Sequence, residues 1–236
     1  MKIALIGYGK MGKAIEELAL KAGDEIVLKV DVNSDANWYK GLVDADVAIE
    51  FSSPDSAFNN LKVCIDNNVP VVCGTTGWYN SKQSIEDYCL KKNGCILIAS
   101  NFSIGVNIFF SLNEYLAKIM AQYPEYQVTM EEIHHTAKLD QPSGTALTLA
   151  NTIIDFRNDI DSWTQDINKV DSQLYIESVR QDPAPGTHKV FYDSFIDSIE
   201  ITHTAHSRIG FAAGALMAAK WICEKKGIFT MKNIIS

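Results

Sequence analysis

The sequence predicts an α/β protein: a doubly wound parallel sheet plus a second α+β domain with a mixed or antiparallel sheet. Three observations carry this. An apolar run at the N-terminus passes straight into a glycine-rich turn, and strand-like and helix-like segments then alternate up to Ala99. From Leu174 to His203 three β-rich runs follow one another with no helical pattern between them. Interleaved strands and helices imply parallel pairing through right-handed crossovers, whereas strands in succession imply hairpins or mixed pairing.

Lys2 to Ile6 is almost wholly apolar, as a central strand buried on both faces requires. It ends in Gly7-Tyr8-Gly9-Lys10-Met11-Gly12, and an amphipathic stretch follows from Met11 to Lys21, with Ile15, Leu18 and Ala19 on one side. Glu25 to Val30 reads as a second strand closing at Asp31. Gly-x-Gly-x-x-Gly after a strand, opening a helix, with an acidic residue about 20 positions on, is the Rossmann-type dinucleotide fingerprint. The glycines permit a tight turn and close approach of a pyrophosphate, the helix start faces that charge, and Asp31 would accept from a ribose hydroxyl. The blander alternative is a bare strand-to-helix turn with Asp31 as a solvated carboxylate.

The alternation continues with strands at 46–51, 69–73 and 95–99 and helices at 54–67 and 81–91. Ligands of such sheets sit beyond the carboxyl ends of the strands. Those ends carry Phe51-Ser52-Ser53, Gly74-Thr75-Thr76-Gly77 and Ser100-Asn101-Phe102, all small or polar apart from the two phenylalanines. Capping and turn chemistry would explain each segment singly; their recurrence at one edge favours a groove.

After Asn101 a long helix is expected over 106–123, then a strand over 127–133, a helix over 146–156, a polar loop over 159–171 and β-runs at 174–179, 188–192 and 198–203. Pro183, Pro185 and Gly186 mark a turn, and an alanine-rich helix is expected over 210–224. Between the strand at 127 and the helix at 146 lies the densest cluster of titratable groups, Glu131-Glu132-Ile133-His134-His135-Thr136-Ala137-Lys138-Leu139-Asp140-Gln141-Pro142-Ser143-Gly144-Thr145-Ala146. Ser143 is a natural N-cap, and a helix start beside His135 and Lys138 suits a carboxylate. Lys138 follows His134 by four residues in a loop, so both can face one cavity. Paired histidines are often metal ligands, but no cysteine or third histidine sits at ligand spacing, so no metal is expected. His203 and His206 read as structural or interface residues, and Arg208 as either a substrate anchor or an interdomain ion pair.

A net charge of −8 speaks against a nucleic-acid partner. Five scattered cysteines without a C-x-x-C fit a reducing compartment, and no apolar run approaches a membrane span, so a soluble cytoplasmic protein is expected.

The central motif resembles the signature of the 4-hydroxy-tetrahydrodipicolinate reductases, formerly dihydrodipicolinate reductases. Gly7-x-Gly9-Lys10-Met11-Gly12, Ala48-Ile49-Glu50-Phe51-Ser52, Gly74-Thr75-Thr76-Gly77, Ser100-Asn101-Phe102-Ser103, His203-x-Ala205-x-Ser207-Arg208 and Phe211-Ala212-x-Gly214-Ala215 agree in order. Gln141 stands where that family usually has alanine, and Thr187 where glutamate is common. The resemblance implies a dinucleotide-binding domain, residues 1–104 and 209–236, and a substrate-binding and oligomerisation domain, residues 105–208. It implies hydride transfer from NADH or NADPH to a cyclic unsaturated dicarboxylic acid on the lysine route through diaminopimelate, in a homotetramer. By position, His134 and Lys138 become catalytic, the lysine as proton donor, and His135, Gly144 and Thr145 contact substrate. Gly7, Tyr8, Gly9, Lys10, Met11, Gly12, Asp31, Gly74, Thr75, Thr76, Ala99, Ser100, Asn101 and Phe102 become the cofactor site. Two other readings stay open: a related dehydrogenase of a small amino or keto acid, and a nucleotide sensor without turnover.

Overall fold

A computed structural model describes residues 1–207 and 209–235. In chain order the elements are β1 (Lys2–Ile6), α1 (Lys10–Lys21), β2 (Glu25–Val30), a 3-10 helix (Trp38–Asp44), β3 (Val47–Glu50), α2 (Pro54–Asp66) and β4 (Val71–Cys73). A 3-10 turn (Tyr79–Ser81), α3 (Lys82–Lys91), β5 (Cys95–Ile98), α4 (Ile104–Met120), β6 (Gln127–His134) and α5 (Gly144–Phe156) come next. The chain closes with β7 (Ser162–Thr164), β8 (Gln173–Arg180), β9 (Thr187–Asp193), β10 (Ser198–Thr204), α6 (Ile209–Ile222), β11 (Gly227–Phe229) and α7 (Lys232–Ile235). They form two compact units, Met1–Ile104 with Ile209–Ser236, and Gly105–Arg208.

The first unit is a six-stranded sheet in the order β11-β5-β4-β3-β1-β2, every pair parallel. Alternation along β1 shows why it is doubly wound. Ile3 and Leu5 bury on one face with Ile15 and Ala19 of α1 and Ala212, Ala215 and Ala219 of α6. Ala4 and Ile6 bury on the other with Leu61 and Ile65 of α2 and Ile85 of α3. At ~25 cal/mol per Å² of apolar surface, two such faces supply most of the drive to fold this unit.

The second unit is a five-stranded mixed sheet, β10-β9-β6-β8-β7, in which β6 runs parallel to β8 and antiparallel to β9. Its inner face buries Val128, Met130, Leu174, Ile176, Val190 and Tyr192 against Phe109 and Met120 of α4 and Leu149 and Ile153 of α5. The outer face carries half-buried Thr129, Glu131 and Ile133, with Glu131 ion-paired to its cross-strand neighbour Lys189 at 2.8 Å.

Several elements depart from the sequence reading. β11 is a sixth strand beyond the final helix, only three residues long and therefore without a readable period. β7 forms inside the stretch expected to be loop, as an edge strand on β8. α4 stops at Met120 rather than Tyr123, because Pro124 biases the residue before it away from helical geometry. Among the described residues no helix is long and apolar enough to cross a membrane, and all five cysteines are free thiols. Arg208 lies outside the described residues.

Candidate active site

In the first unit, β1 delivers the chain into the glycine turn. Gly7 has φ +94°, and a Cβ there would lie 2.0 Å from the carbonyl oxygen of Phe51, so only glycine fits. The N–H groups of Gly7 and Tyr8 both donate to the Val30 carbonyl, at 2.9 and 3.0 Å, which ties the turn to the end of β2. Gly9 caps α1 without a side-chain hydrogen bond, and nothing lies within 4 Å of where its Cβ would stand. An uncapped helix start behind an open glycine is what a pyrophosphate requires. The adjoining cleft, of about 650 Å³, is lined by Gly7, Tyr8, Gly9, Asp31, Ser52, Ser53 and Asn60 among others. Asp31 follows β2, and its carboxylate accepts from the Asn33 N–H at 2.8 Å, which fixes it at the cleft wall. These residues fit a dinucleotide.

The other proposed cofactor residues sit at neighbouring strand ends. Thr75 reaches the cleft indirectly, its hydroxyl accepting from the Ser52 N–H at 2.9 Å. Lys10 and Thr76 are exposed, and Lys10, Met11, Gly12, Gly74, Thr76 and Ala99 to Phe102 are not part of the cleft lining. The Phe102 ring packs 5.6 Å from that of Phe51. Sequence reasoning gave Glu50 no role of its own. It is fully buried at the end of β3, where its carboxylate accepts from the Ser52 N–H (3.1 Å) and hydroxyl, the Asn60 amide (3.3 Å) and the Cys73 thiol (3.2 Å). A carboxylate that closes a continuous apolar run reads as the solvated end of a buried strand, which hides such a residue.

In the second unit β6 ends at His134, which is 7% exposed, two residues after the wholly buried Glu132. Residues two apart on a strand share a face. Glu132 is the hub. Its oxygens accept from the Ser143 N–H (3.0 and 3.1 Å), the Ser178 hydroxyl (2.9 Å) and Arg180 Nη2 (3.2 Å). Burial alone would raise this carboxyl, but the Ser143 and Ser178 hydrogen bonds outweigh it and hold Glu132 below the usual range. Burial pushes His134 down despite the attraction of Glu132, and the ammonium of Lys138 adds to the lowering. Hence a neutral imidazole stands beside an ionised carboxylate, with Nδ1 3.5 Å from Glu132 Oε2. On its other edge, a Cβ at Gly186 (φ +152°) would come within 3.1 Å of His134 Nε2, so glycine clears that side.

His188 of β9 also reaches the hub, a third histidine brought there by strand pairing although none sits at ligand spacing along the sequence. Its ring meets that of His134 edge-on at 5.0 Å, and its Nε2 lies 3.2 Å from the Ser143 hydroxyl and 3.9 Å from Glu132. Burial pushes His188 down to about 3. Ligand atoms of Glu132, His134 and His188 fall within 4.8 Å of one another. Arg180 supplies that carboxylate with a counter-charge, and the Ser143 N–H and Ser178 hydroxyl add hydrogen bonds. Sequence spacing could not have found His188, because the β6–β9 pairing that sets His188 opposite Glu132 is long-range.

The loop after β6 carries half-buried His135 and Lys138. Lys138 Nζ donates to both oxygens of Asp140 at 2.7 Å. Ser143 caps α5 as expected, its hydroxyl accepting from the Ala146 N–H at 3.2 Å. That leaves the N–H groups of Gly144 and Thr145, which have no intrahelical acceptor; Gly144 is exposed with nothing within 4 Å of a would-be Cβ.

A glycine-turn parallel sheet with an uncapped helix start, together with an α+β unit bearing a His-His-x-x-Lys loop, defines a nicotinamide-dependent oxidoreductase of two domains. Comparison with known proteins takes this further. The pattern described as dihydrodipicolinate reductase, N-terminus, matches residues 1–102, and that described as its C-terminus matches residues 105–235. The chain belongs to the dihydrodipicolinate reductase family, whose members use NADH or NADPH. It is 47% identical over 239 residues to a 4-hydroxy-tetrahydrodipicolinate reductase of Christiangramia forsetii, covering 100% of this chain and 98% of that one. It is 34% identical over 262 residues to the enzyme of that name from Archaeoglobus fulgidus, covering both chains completely. A dipicolinate-bound dihydrodipicolinate reductase from Paenisporosarcina sp. TG-14 shares the fold with a TM-score of 0.79 at 22% identity, over 99% of each chain.

Proposed function

We propose that this protein reduces 4-hydroxy-2,3,4,5-tetrahydrodipicolinate to tetrahydrodipicolinate in lysine biosynthesis through diaminopimelate: the 4-hydroxyl leaves as water, and hydride and a proton add to the conjugated imine that remains. The first unit takes the cofactor on the Gly7–Gly12 turn, Asp31 and the strand ends at Gly74–Thr76 and Ala99–Phe102. The second takes the substrate. A bound reduced nicotinamide supplies hydride, and this chain's residues bind the dicarboxylate, orient it and deliver a proton.

The observation that carries the reading is the pairing of an exposed α5 start, Gly144 and Thr145, with the His134–Lys138 loop on one buried hub. The N–H groups of Gly144 and Thr145, with His135, suit a substrate carboxylate. Lys138 is the proton donor: reducing a conjugated imine leaves electron density that a positioned ammonium quenches. His134, kept neutral by burial, offers a hydrogen bond without adding a second cation. The dipicolinate in the Paenisporosarcina relative is a planar dicarboxylate, the kind of ligand this cradle suits.

The protein works in the cytoplasm as a homotetramer. Supporting assembly, the β9–β10 hairpin tip exposes Phe195 (105%) and Ile196 (86%), side chains a solitary chain gains nothing by presenting to water. The deciding experiment follows loss of reduced-nicotinamide absorbance with substrate generated in situ, with and without pyridine-2,6-dicarboxylate. Turnover inhibited by the mimic is expected. Cofactor binding without turnover would favour the sensor, and turnover only of amino or keto acids the related dehydrogenase.

A further inference from the structure

The reading of Lys138 as proton donor leaves open what fixes its loop, which has no regular structure and exposes Leu139 fully. Resting on that reading, we propose that Arg180 is a positioning residue that clamps the Lys138 loop onto the buried carboxylate of Glu132. Arg180 ends β8, next to His134 in the parallel register, and its side chain is 16% exposed. Nη2 donates to the Asp140 carbonyl at 2.7 Å and to Glu132 Oε1 at 3.2 Å, and Nε donates to the Lys138 carbonyl at 3.3 Å. One rigid fork therefore holds the backbone at Lys138 and at Asp140 and references both to a hub that also carries the α5 cap. Within the loop the Lys138 N–H donates to the His135 carbonyl at 3.1 Å and its Nζ holds Asp140, and other ties lie nearer its ends. The Gln181 N–H donates to the His134 carbonyl at 2.8 Å, the Thr136 N–H to Asp182 at 3.3 Å and the Gln141 amide to the Ser178 carbonyl at 3.3 Å.

A guanidinium presents several donors in fixed planar directions, whereas an ammonium is a point charge on a flexible stem. Lysine at 180 would balance the charge of Glu132 yet could not span three acceptors in that geometry. Since a displacement of about 1 Å at a reacting group costs about 10²-fold in rate, the clamp sets turnover without touching substrate.

The test measures kcat and KM in the full chain for Arg180→Lys and Arg180→Ala, each alone and combined with Lys138→Ala. Arg180→Lys is expected to lower kcat at least about tenfold, with the KM for NADH within about twofold of the parent. Arg180→Ala should lose more, and added guanidinium should restore it. In the Lys138→Ala background Arg180→Lys should cost less than about threefold, since misplacing an absent donor costs nothing. A structural role would subtract its full effect there too. The clamp is overturned by an Arg180→Lys kcat within threefold of the parent, by a full loss on top of Lys138→Ala, or by a folded Arg180→Ala that guanidinium leaves unchanged. Should Arg180→Ala not fold, the Arg180→Lys pair decides alone. Near-parent turnover in Lys138→Ala removes the donor reading and the clamp with it, while collapse there beside an unaffected Arg180→Lys removes only the clamp.

Discussion

Lys138 carries the firmest expectation for a single residue. Lys138→Ala should cut kcat by at least about 100-fold, the scale of general acid catalysis, with cofactor affinity unchanged. On the proposed reading Asp31 serves the cofactor. Its carboxylate, fixed at the cleft wall by the Asn33 N–H, can accept from a ribose hydroxyl and repels a phosphate in the same place. Asp31→Ala should raise the KM for NADH about tenfold, the worth of a hydrogen bond to a charged group, and leave NADPH much less affected. An equal effect on both cofactors would displace Asp31 from the ribose. Both residues were legible from motif spacing. Glu132 was legible only as a letter of the motif; that it is fully buried and gathers two serines, an arginine and two histidines comes from strand pairing.

The N-terminus of α5 is the element on which the second unit's site turns. Its cap residue Ser143 is 3% exposed and serves three partners: the Ala146 N–H, Glu132 through its own N–H, and His188 through its hydroxyl. Loss of the cap hydroxyl in Ser143→Ala should cost ~1–2 kcal/mol, a Tm drop of a few degrees for a chain of this size. A calorimetric scan checks this, and an unchanged Tm would show that the cap contributes nothing. The start of this helix was readable because proline and serine punctuate it. The short β7 and β11 were not, since three residues give no period, and both exist only because β8 and β5 offer edges to pair with.

For the whole molecule, the buried histidines contribute to acid sensitivity. His188, at about 3, stays neutral in the fold but takes a proton near 6.5 when unfolded. The unfolded state therefore binds the extra proton between those values, so stability is full above about pH 6.5 and falls as pH drops, by up to ~1.4 kcal/mol per pH unit for each such histidine. His134, also lowered, and Glu132, whose depressed carboxyl loses its stabilising contribution on protonation, act in the same direction. Urea midpoints between pH 4 and 8 should decline below about 6.5, and His188→Gln should flatten the slope; an identical slope in the variant would assign the acid sensitivity elsewhere. Light scattering should give about four times the 26.2 kDa chain mass. Phe195→Ser with Ile196→Ser should reduce it if the hairpin is a subunit contact.

Sequence alone determined the two fold classes, the glycine turn, the acidic end of β2 and the loop that bears Lys138. Each is a local pattern in which side-chain type, spacing and backbone preference agree within about 30 residues, the reach of a βαβ unit. Tertiary structure alone decided that Arg180 and His188, some 40 to 60 residues downstream of Glu132, converge on it, because β6 pairs with β8 on one side and β9 on the other. It also decided that His134 and His188 are held toward the neutral form, since burial exists only once the sheet and α5 have closed over the hub.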